Sequence, residues 1–191
     1  MVLSLPVHLL VFLIGGFLHF LHPSRTEDHR LKILDVFSAV NESTWEHMKI
    51  FTVASFLTTV FYLGPYNGFF GDVLLSSSIA VSLSVFVIPT LFYGYKLFIR
   101  NNVLLFDIGI FFATSYIFAF LQDYFTPVSI RLPTMTITML GILLWSFIWI
   151  ILSYWTYSPP RHPLFKCPKG NCYGHPKPKA RKKKRRKSHI V

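Results

Sequence analysis

The chain has 191 residues, of which 52% are hydrophobic and only 14% are charged, and its mean hydropathy is +0.48. This composition excludes an ordinary soluble domain of the same length. The net charge of +11 is a local property, because 12 of the 19 Lys and Arg residues follow Ser158 in a tail without Asp or Glu. The rest of the chain has 7 basic and 8 acidic residues.

The apolar residues fall into blocks of about 20 residues, the length of helix that crosses a bilayer. The blocks lie near residues 5–22, 48–66, 70–98, 103–122 and 135–157. The first block has no Lys or Arg before Arg25 and no small-residue cleavage site, so we favour a retained helix over a signal peptide. The sequence therefore predicts an all-α, polytopic membrane bundle of five transmembrane helices.

The basic residues give this bundle an orientation, because Lys and Arg concentrate on the cytoplasmic side of a membrane protein. With five spans, the basic first loop, the third loop and the tail all lie on one side. We therefore predict a multi-pass cell-membrane protein with its N-terminus outside and its C-terminus inside. Residues 1–165 form the membrane domain, and residues 166–191 form a basic, disordered cytosolic tail.

Two local patterns in the spans predict packing rather than chemistry. Pro89 should kink the third span, because proline removes a backbone donor and clashes with the preceding turn. The serines at 76–78, 82 and 84 are of the kind that forms interhelical hydrogen bonds. Trp145 and Trp149 are expected to pack inside the bundle, and Trp45 to lie at the membrane interface.

Polar side chains converge on the predicted cytosolic side. His19 and His22 end the first span, residues 41–47 (Asn-Glu-Ser-Thr-Trp-Glu-His) open the second, and Asp107 begins the fourth. Tyr93 and Tyr95 end the third span there, and His162 follows the fifth. Since ionisable groups at membrane depth usually face a bundle interior or a wet cavity, we predict a polar pocket on this side.

The candidate site residues have two interpretations. In the structural one, Ser43 and Glu46 form a capping box, the histidines make interfacial hydrogen bonds, and Asp107 pairs with Lys96 or Arg100. In the functional one, Glu42, Glu46 and His47 are metal ligands or acid/base groups beside His19 and His22. Glu46, His47 and Asp107 are then the catalytic groups, and a divalent metal such as zinc binds at the histidine–carboxylate set. The predicted metal ligands are His19, His47 and His162.

The tail carries two further candidates. Cys167, Cys172 and His175 could bind zinc, although their spacing fits no common zinc motif and a fourth ligand is lacking. A continuous basic run should bind anionic lipid headgroups at the membrane surface; nucleic acid or the ribosome is the alternative partner, which the absence of interleaved aromatic residues disfavours. The run comprises Arg181, Lys182, Lys183, Lys184, Arg185, Arg186 and Lys187.

Three segments carry a family resemblance: residues 38–49 around Asn-Glu-Ser-Thr-Trp-Glu-His, residues 159–165 (Pro-Pro-Arg-His-Pro-Leu-Phe) and residues 172–174 (Cys-Tyr-Gly). They resemble a family of small bacterial integral membrane proteins of unknown function, over roughly His19 to Gly174. The resemblance implies membrane placement and a proline-rich segment that ends the last helix. It also marks Glu46, His47 and His162 as residues of functional interest. The chain departs from the family at Cys167, where an acidic residue is more usual, and in the basic extension after Gly174.

These observations leave three functions open. The first is a non-enzymatic accessory or small-solute-binding membrane protein, which the absence of a distinctive catalytic motif favours. The second is a metal-dependent interfacial hydrolase acting on a lipid-like substrate, which the histidine–carboxylate cluster favours. The third is a small transporter, for which five helices would require a homo-oligomer, with Pro89 and the serine-rich face lining the path.

Overall fold

The computed structural model describes residues 4–21, 34–67, 70–99, 101–129, 133–167 and 173–174. Within these ranges the chain is helical, with turns and one isolated antiparallel bridge between Lys166 and Tyr173. Several sequence-based predictions fall on residues outside the described ranges: His22, Arg100, Cys172, His175 and the basic run 181–187.

Seven α-helices follow one another along the described chain. They are α1 (Ser4–Phe20), α2 (Thr44–Thr58), α3 (Gly64–Asn67), α4 (Phe70–Ser84), α5 (Val87–Lys96), α6 (Leu104–Ser129) and α7 (Thr134–Tyr157). A π-helical stretch, Thr59–Leu63, joins α2 to α3, and a short 3₁₀ helix, Pro163–Phe165, follows α7. The all-helical prediction is therefore confirmed.

Three helical segments are long and apolar enough to cross a membrane: Phe70–Lys96, Leu104–Thr126 and Thr134–Tyr157. The first of these combines α4 and α5, which are separated by a two-residue turn just before Pro89. The predicted break at this proline is present, because its ring cannot follow an undisturbed helical turn. The apolar helix Leu5–Phe20 is shorter.

Helix α4 lies at the centre of the bundle and packs against both α6 and α7, while α1 packs against α2 and α6. The serines of α4 take part in these contacts as predicted. The Ser76 hydroxyl accepts a hydrogen bond from Nε2 of Gln122, and Nε1 of Trp145 donates to Ser77 and to the carbonyl of Leu74. Trp145 is buried, as expected of a packing residue.

Large apolar side chains cover the outer faces of α6 and α7. Leu105, Met135, Leu143 and Ile150 are each more than 60% exposed. Large apolar side chains that are exposed in this number are unusual for a soluble monomer, and they are the groups that lipid tails would solvate. The fold is consequently that of a helical protein suited to a membrane.

A glycine on α7 allows the central helices to touch. A Cβ atom added at Gly141 would lie 2.9 Å from the backbone nitrogen of Leu75 on α4. We expect Gly141→Ala to lower the apparent melting temperature of the detergent-solubilised protein, because overpacking typically costs about 1–3 kcal/mol and backbone cannot move aside easily.

Gly109→Ala on α6 is the matched control, because the added Cβ atom meets nothing within 4 Å. Replacing this helical glycine should leave the melting temperature unchanged or raise it. Equal melting temperatures for the two variants, measured by fluorescence-detected size-exclusion chromatography after heating, would contradict the close approach of α4 and α7.

Candidate functional site

The candidate site lies at one end of the bundle, where the end of α1, the start of α2 and the start of α6 meet. Their side chains surround a cavity of about 230 Å³. Its polar lining comes from His19, Glu42, His47 and Asp107, together with Thr44 and Asn102. The structure thus brings these helix ends around one polar cavity, although they are far apart in the chain; Tyr93 and His162, which the sequence also predicted there, do not line it.

Three residues of this cavity form a cluster suited to a metal ion. One ligand atom from each of His19, Glu42 and His47 lies within 4.8 Å of the other two. Nε2 of His19 is 3.8 Å from a carboxylate oxygen of Glu42, and the two imidazole rings have centroids 5.3 Å apart. All three side chains are partly exposed, so an ion from solution could reach them.

A backbone contact fixes how His47 presents its ring. Nδ1 of His47 lies 2.9 Å from the carbonyl oxygen of Ser43. Because a carbonyl oxygen can only accept a hydrogen bond, Nδ1 carries the proton and the neutral ring keeps a lone pair on Nε2. Metal-binding histidines are commonly oriented in this way by a hydrogen bond from the other ring nitrogen.

Asp107 lies in the first turn of α6 on the wall of the same cavity. The hydroxyl of Tyr95 donates a hydrogen bond of 2.8 Å to its carboxylate, so a side chain of α5 holds Asp107 in place. Of the pairing partners that the sequence suggested, Lys96 lies over the ring of Phe92 at 5.7 Å from the centroid, and Arg100 is outside the described ranges.

Glu46 points away from this cavity into a buried network. Its Oε2 accepts a hydrogen bond from the backbone N–H of Val40 and lies 2.6 Å from Nζ of Lys49. Nζ of Lys49 also donates to the backbone carbonyl of Asp35. The two charged side chains, 2% and 0% exposed, therefore hold residues 35–40 against α2, which favours a structural role for Glu46.

The predicted capping box is wrong, although Ser43 is the N-cap residue of α2. The Ser43 side chain makes no capping hydrogen bond, and its buried Oγ has no partner within the described chain. The backbone N–H of Ser43 donates instead to Oδ1 of Asn41. The Glu46 carboxylate contacts Val40 and Lys49 instead. Leaving the buried Lys49 ammonium without its partner would cost more free energy than leaving the helix uncapped.

His162 lies outside the metal-suited cluster, so the structure places two of the three predicted ligands together. Nδ1 of His162 is exposed and accepts a hydrogen bond of 3.3 Å from the N–H of Leu164, which caps the 3₁₀ helix. The cluster's third member is Glu42. It directly follows Asn41 and precedes His47 by five residues, inside the polar segment 41–47 that the sequence predicts to lie at the pocket.

The segment after α7 docks onto the start of α2. Phe165 packs against Trp45 and Trp155, with ring centroids 4.9 and 5.6 Å away. Trp45 is therefore buried within the protein by aromatic packing with a residue far along the chain.

The chain beyond this segment is also joined to Asn41 by a hydrogen bond from a side chain to the backbone. Nδ2 of Asn41 donates a 2.9 Å hydrogen bond to the carbonyl of Gly174. Gly174 has a φ of +68°, and a Cβ atom there would lie 2.9 Å from Cγ of Pro159. A glycine is thus required both by the backbone conformation and by the close approach.

These features define a class: a helical protein with apolar helices long enough to cross a membrane and a histidine–carboxylate cavity at one end of its bundle. The chain belongs to DUF6512, a family of unknown function, whose family model matches residues 1–175. The predicted resemblance to a family of unknown function is confirmed, and the match ends close to Gly174, where the basic extension begins. No curated protein and no solved structure matches the chain.

The buried pair leads to a prediction about stability. We expect Lys49→Met to destabilise the protein strongly, because it leaves the Glu46 carboxylate without its partner and the Asp35 carbonyl without its donor. Breaking one side of a buried pair typically costs about 3–5 kcal/mol. The measurement is the midpoint of unfolding in detergent.

The double variant Glu46→Gln, Lys49→Met is the control, because it removes both charges together. It should recover a substantial part of the lost stability. If Lys49→Met alone unfolds at the wild-type midpoint, the network does not hold residues 35–40 against α2.

Proposed function

We propose that the chain is a multi-pass protein of the cell membrane that crosses the bilayer five times, with its N-terminus outside and its C-terminus inside. The three long apolar helices support membrane insertion. Helix α1 and the continuous helical segment 44–67 would supply the other two spans; at 1.5 Å per residue the latter is about 35 Å long. The mutual neutralisation of Glu46 and Lys49 lowers the cost of placing them at membrane depth.

The basic tail supports the orientation within this proposal. In it, the run 181–187 binds anionic lipid headgroups of the inner leaflet, at about 1 kcal/mol per basic residue near the surface. The candidate cavity then opens at the cytosolic face of the membrane, since Asn41 near the cavity is joined to Gly174 near the tail.

Reporter fusions test the orientation. A green fluorescent protein attached after Val191 should fluoresce in bacterial cells, and alkaline phosphatase at the same position should be inactive, because the latter needs the periplasm to form its disulfides. A fusion of each reporter at residue 68, between α3 and α4, should give the opposite pair of results. Active phosphatase after Val191 would overturn the proposed orientation.

We further propose that this protein is a metal-dependent hydrolase working at the membrane interface. The observation that carries the proposal is the cluster of His19, Glu42 and His47. Two histidines and one carboxylate are the ligand set of many catalytic zinc sites, in which a fourth position stays open for water or substrate. The half-exposed carboxylate of Glu42 can rotate to close the ligand distances around an ion.

The cavity also supplies a group for proton transfer. A divalent ion held by the cluster would lower the pKa of a bound water and polarise an ester oxygen. In this proposal the Asp107 carboxylate would accept a proton from the attacking water as the water oxygen bonds to the acyl carbon or phosphorus. It would return that proton to the leaving oxygen as the bond to that oxygen breaks.

The Tyr95 hydroxyl has a positioning role in this scheme. Its hydrogen bond of 2.8 Å holds the Asp107 carboxylate from the side of α5. The arrangement favours a hydrolase over the accessory-protein hypothesis, because a binding site alone has no need of a positioned carboxylate beside the ligand cluster. The transporter hypothesis gains no such support, since Ser76, Ser77 and Ser78 are fully buried in helix contacts.

Metal binding is the first test. The purified protein should bind one equivalent of Zn²⁺ or Co²⁺, and bound Co²⁺ should show the intense visible absorption of a four- or five-coordinate site. His47→Ala and Glu42→Gln should lower the affinity at least tenfold, because each removes a ligand. His162→Ala is the matched control and should bind metal as the wild type does. Equal loss in all three variants, or no binding by the wild type, would refute the site.

Asp107→Asn separates binding from chemistry. It should retain zinc while the hydrolysis of p-nitrophenyl acetate and bis(p-nitrophenyl) phosphate falls by about 10²-fold or more, the usual contribution of a general base. Bound metal without turnover of either compound in the wild type would instead favour a non-enzymatic metal- or solute-binding protein.

A further inference from the structure

An apolar groove of about 450 Å³ runs between α1 and α6 and opens into the candidate site. Phe12, Gly15, Gly16 and Ile108 belong to the groove alone, whereas His19, His47 and Asp107 line both the groove and the polar cavity. One continuous depression therefore has a polar end that could hold a metal and an apolar end between two helices.

Two adjacent glycines create this shape by different means. A Cβ atom at Gly15 would collide with the ring of Phe111 on α6, so Gly15 is where the helices touch. A Cβ atom at Gly16 meets nothing within 4 Å, so Gly16 is where they leave space. Gly15 thus allows the close approach of α1 and α6, while Gly16 lies on the groove floor.

The volume and chemistry of the groove indicate its occupant. Ligand sites commonly enclose about 300–1,000 Å³ and combine apolar walls with a few polar groups. The apolar walls of this groove continue on α1 into Leu13, Phe17 and Phe20, which are exposed and would face lipid tails. A flexible hydrocarbon chain can pass from the bilayer into such a groove, whereas a polar solute would gain nothing from it.

We propose that the groove binds one acyl chain of a membrane lipid whose ester or phosphoester headgroup lies at the His19–Glu42–His47 cluster. This inference rests on the proposed function, because the cluster holds the reacting group. The substrates are then individual amphiphilic lipids taken from the bilayer, and Gly16 is a specificity-determining residue. Chain binding in the groove would position the scissile bond beside Asp107.

Alkylphosphonates are suitable probes, because their headgroup is a metal ligand and their chain length can be varied. Methyl-, butyl- and octylphosphonate would be titrated into the cobalt-loaded protein in detergent, with the visible cobalt spectrum as the readout. Each methylene that enters the groove should tighten binding by about fourfold until the groove is filled. Methylphosphonate measures the metal site alone.

Gly16→Leu is the decisive variant, because its side chain would fill the groove without meeting a neighbour at Cβ. It should lower the affinity for octylphosphonate to near that for methylphosphonate and leave methylphosphonate binding unchanged. Gly94→Leu on α5 is the control, since its Cβ atom likewise meets nothing within 4 Å, and it should keep the dependence on chain length. Gly16→Ala should give an intermediate loss, should the leucine variant fail to fold.

The outcomes separate the inference from the proposed function. If methylphosphonate does not perturb bound cobalt, or cobalt does not bind, the metal site itself is wrong. If cobalt binds and all three phosphonates bind equally, the site stands and the acyl-chain groove is refuted. Octylphosphonate that binds equally to the cobalt-loaded and the metal-free protein in isothermal titration calorimetry would show non-specific association with the apolar helix surface, which also refutes it.

Discussion

The candidate site depends on the buried contact between Glu46 and Lys49. This pair attaches residues 35–40 to α2 through the N–H of Val40 and the carbonyl of Asp35. Glu42 lies in the short connection between that attached segment and α2, so its backbone is held close to His19 and His47 while its half-exposed side chain can still turn. A charged pair that contributes modestly to stability can in this way determine where a separate carboxylate is placed.

Much of this arrangement could be predicted from the sequence, because the physics of helix ends in a bilayer is simple. Apolar helices that run alternately up and down a bundle put the ends of α1 and α5 beside the starts of α2 and α6, so the polar residues at those ends are expected to meet. The grouping of His19, His47 and Asp107 around one cavity follows from this rule. The kink before Pro89 depends on local chemistry alone, and the hydroxyl groups of the α4 serines made interhelical hydrogen bonds an expectation without naming Gln122 and Trp145 as partners.

Other features could not be predicted, because they depend on contacts across the chain. Ser43 and Glu46 have the spacing of a capping box, but Lys49 at three residues from Glu46 competes for its carboxylate. The position of Lys49 can be read from the sequence. The burial that makes its ion pair with Glu46 outweigh the capping box cannot. Likewise, nothing local to Trp45 reveals that Phe165 covers it, and nothing local to His162 shows that it caps a turn instead of joining the cluster.

The hydrogen bond from Asn41 to Gly174 joins residues 133 positions apart, next to Glu42. During synthesis, α1 and α2 leave the ribosome long before residue 174 does. The connection that carries Glu42 thus gains this bond only once the fifth apolar segment has been made. Nascent chains therefore lack this link between Asn41 and the segment after α7, so the connection that carries Glu42 reaches its final packing only when the whole bundle has assembled.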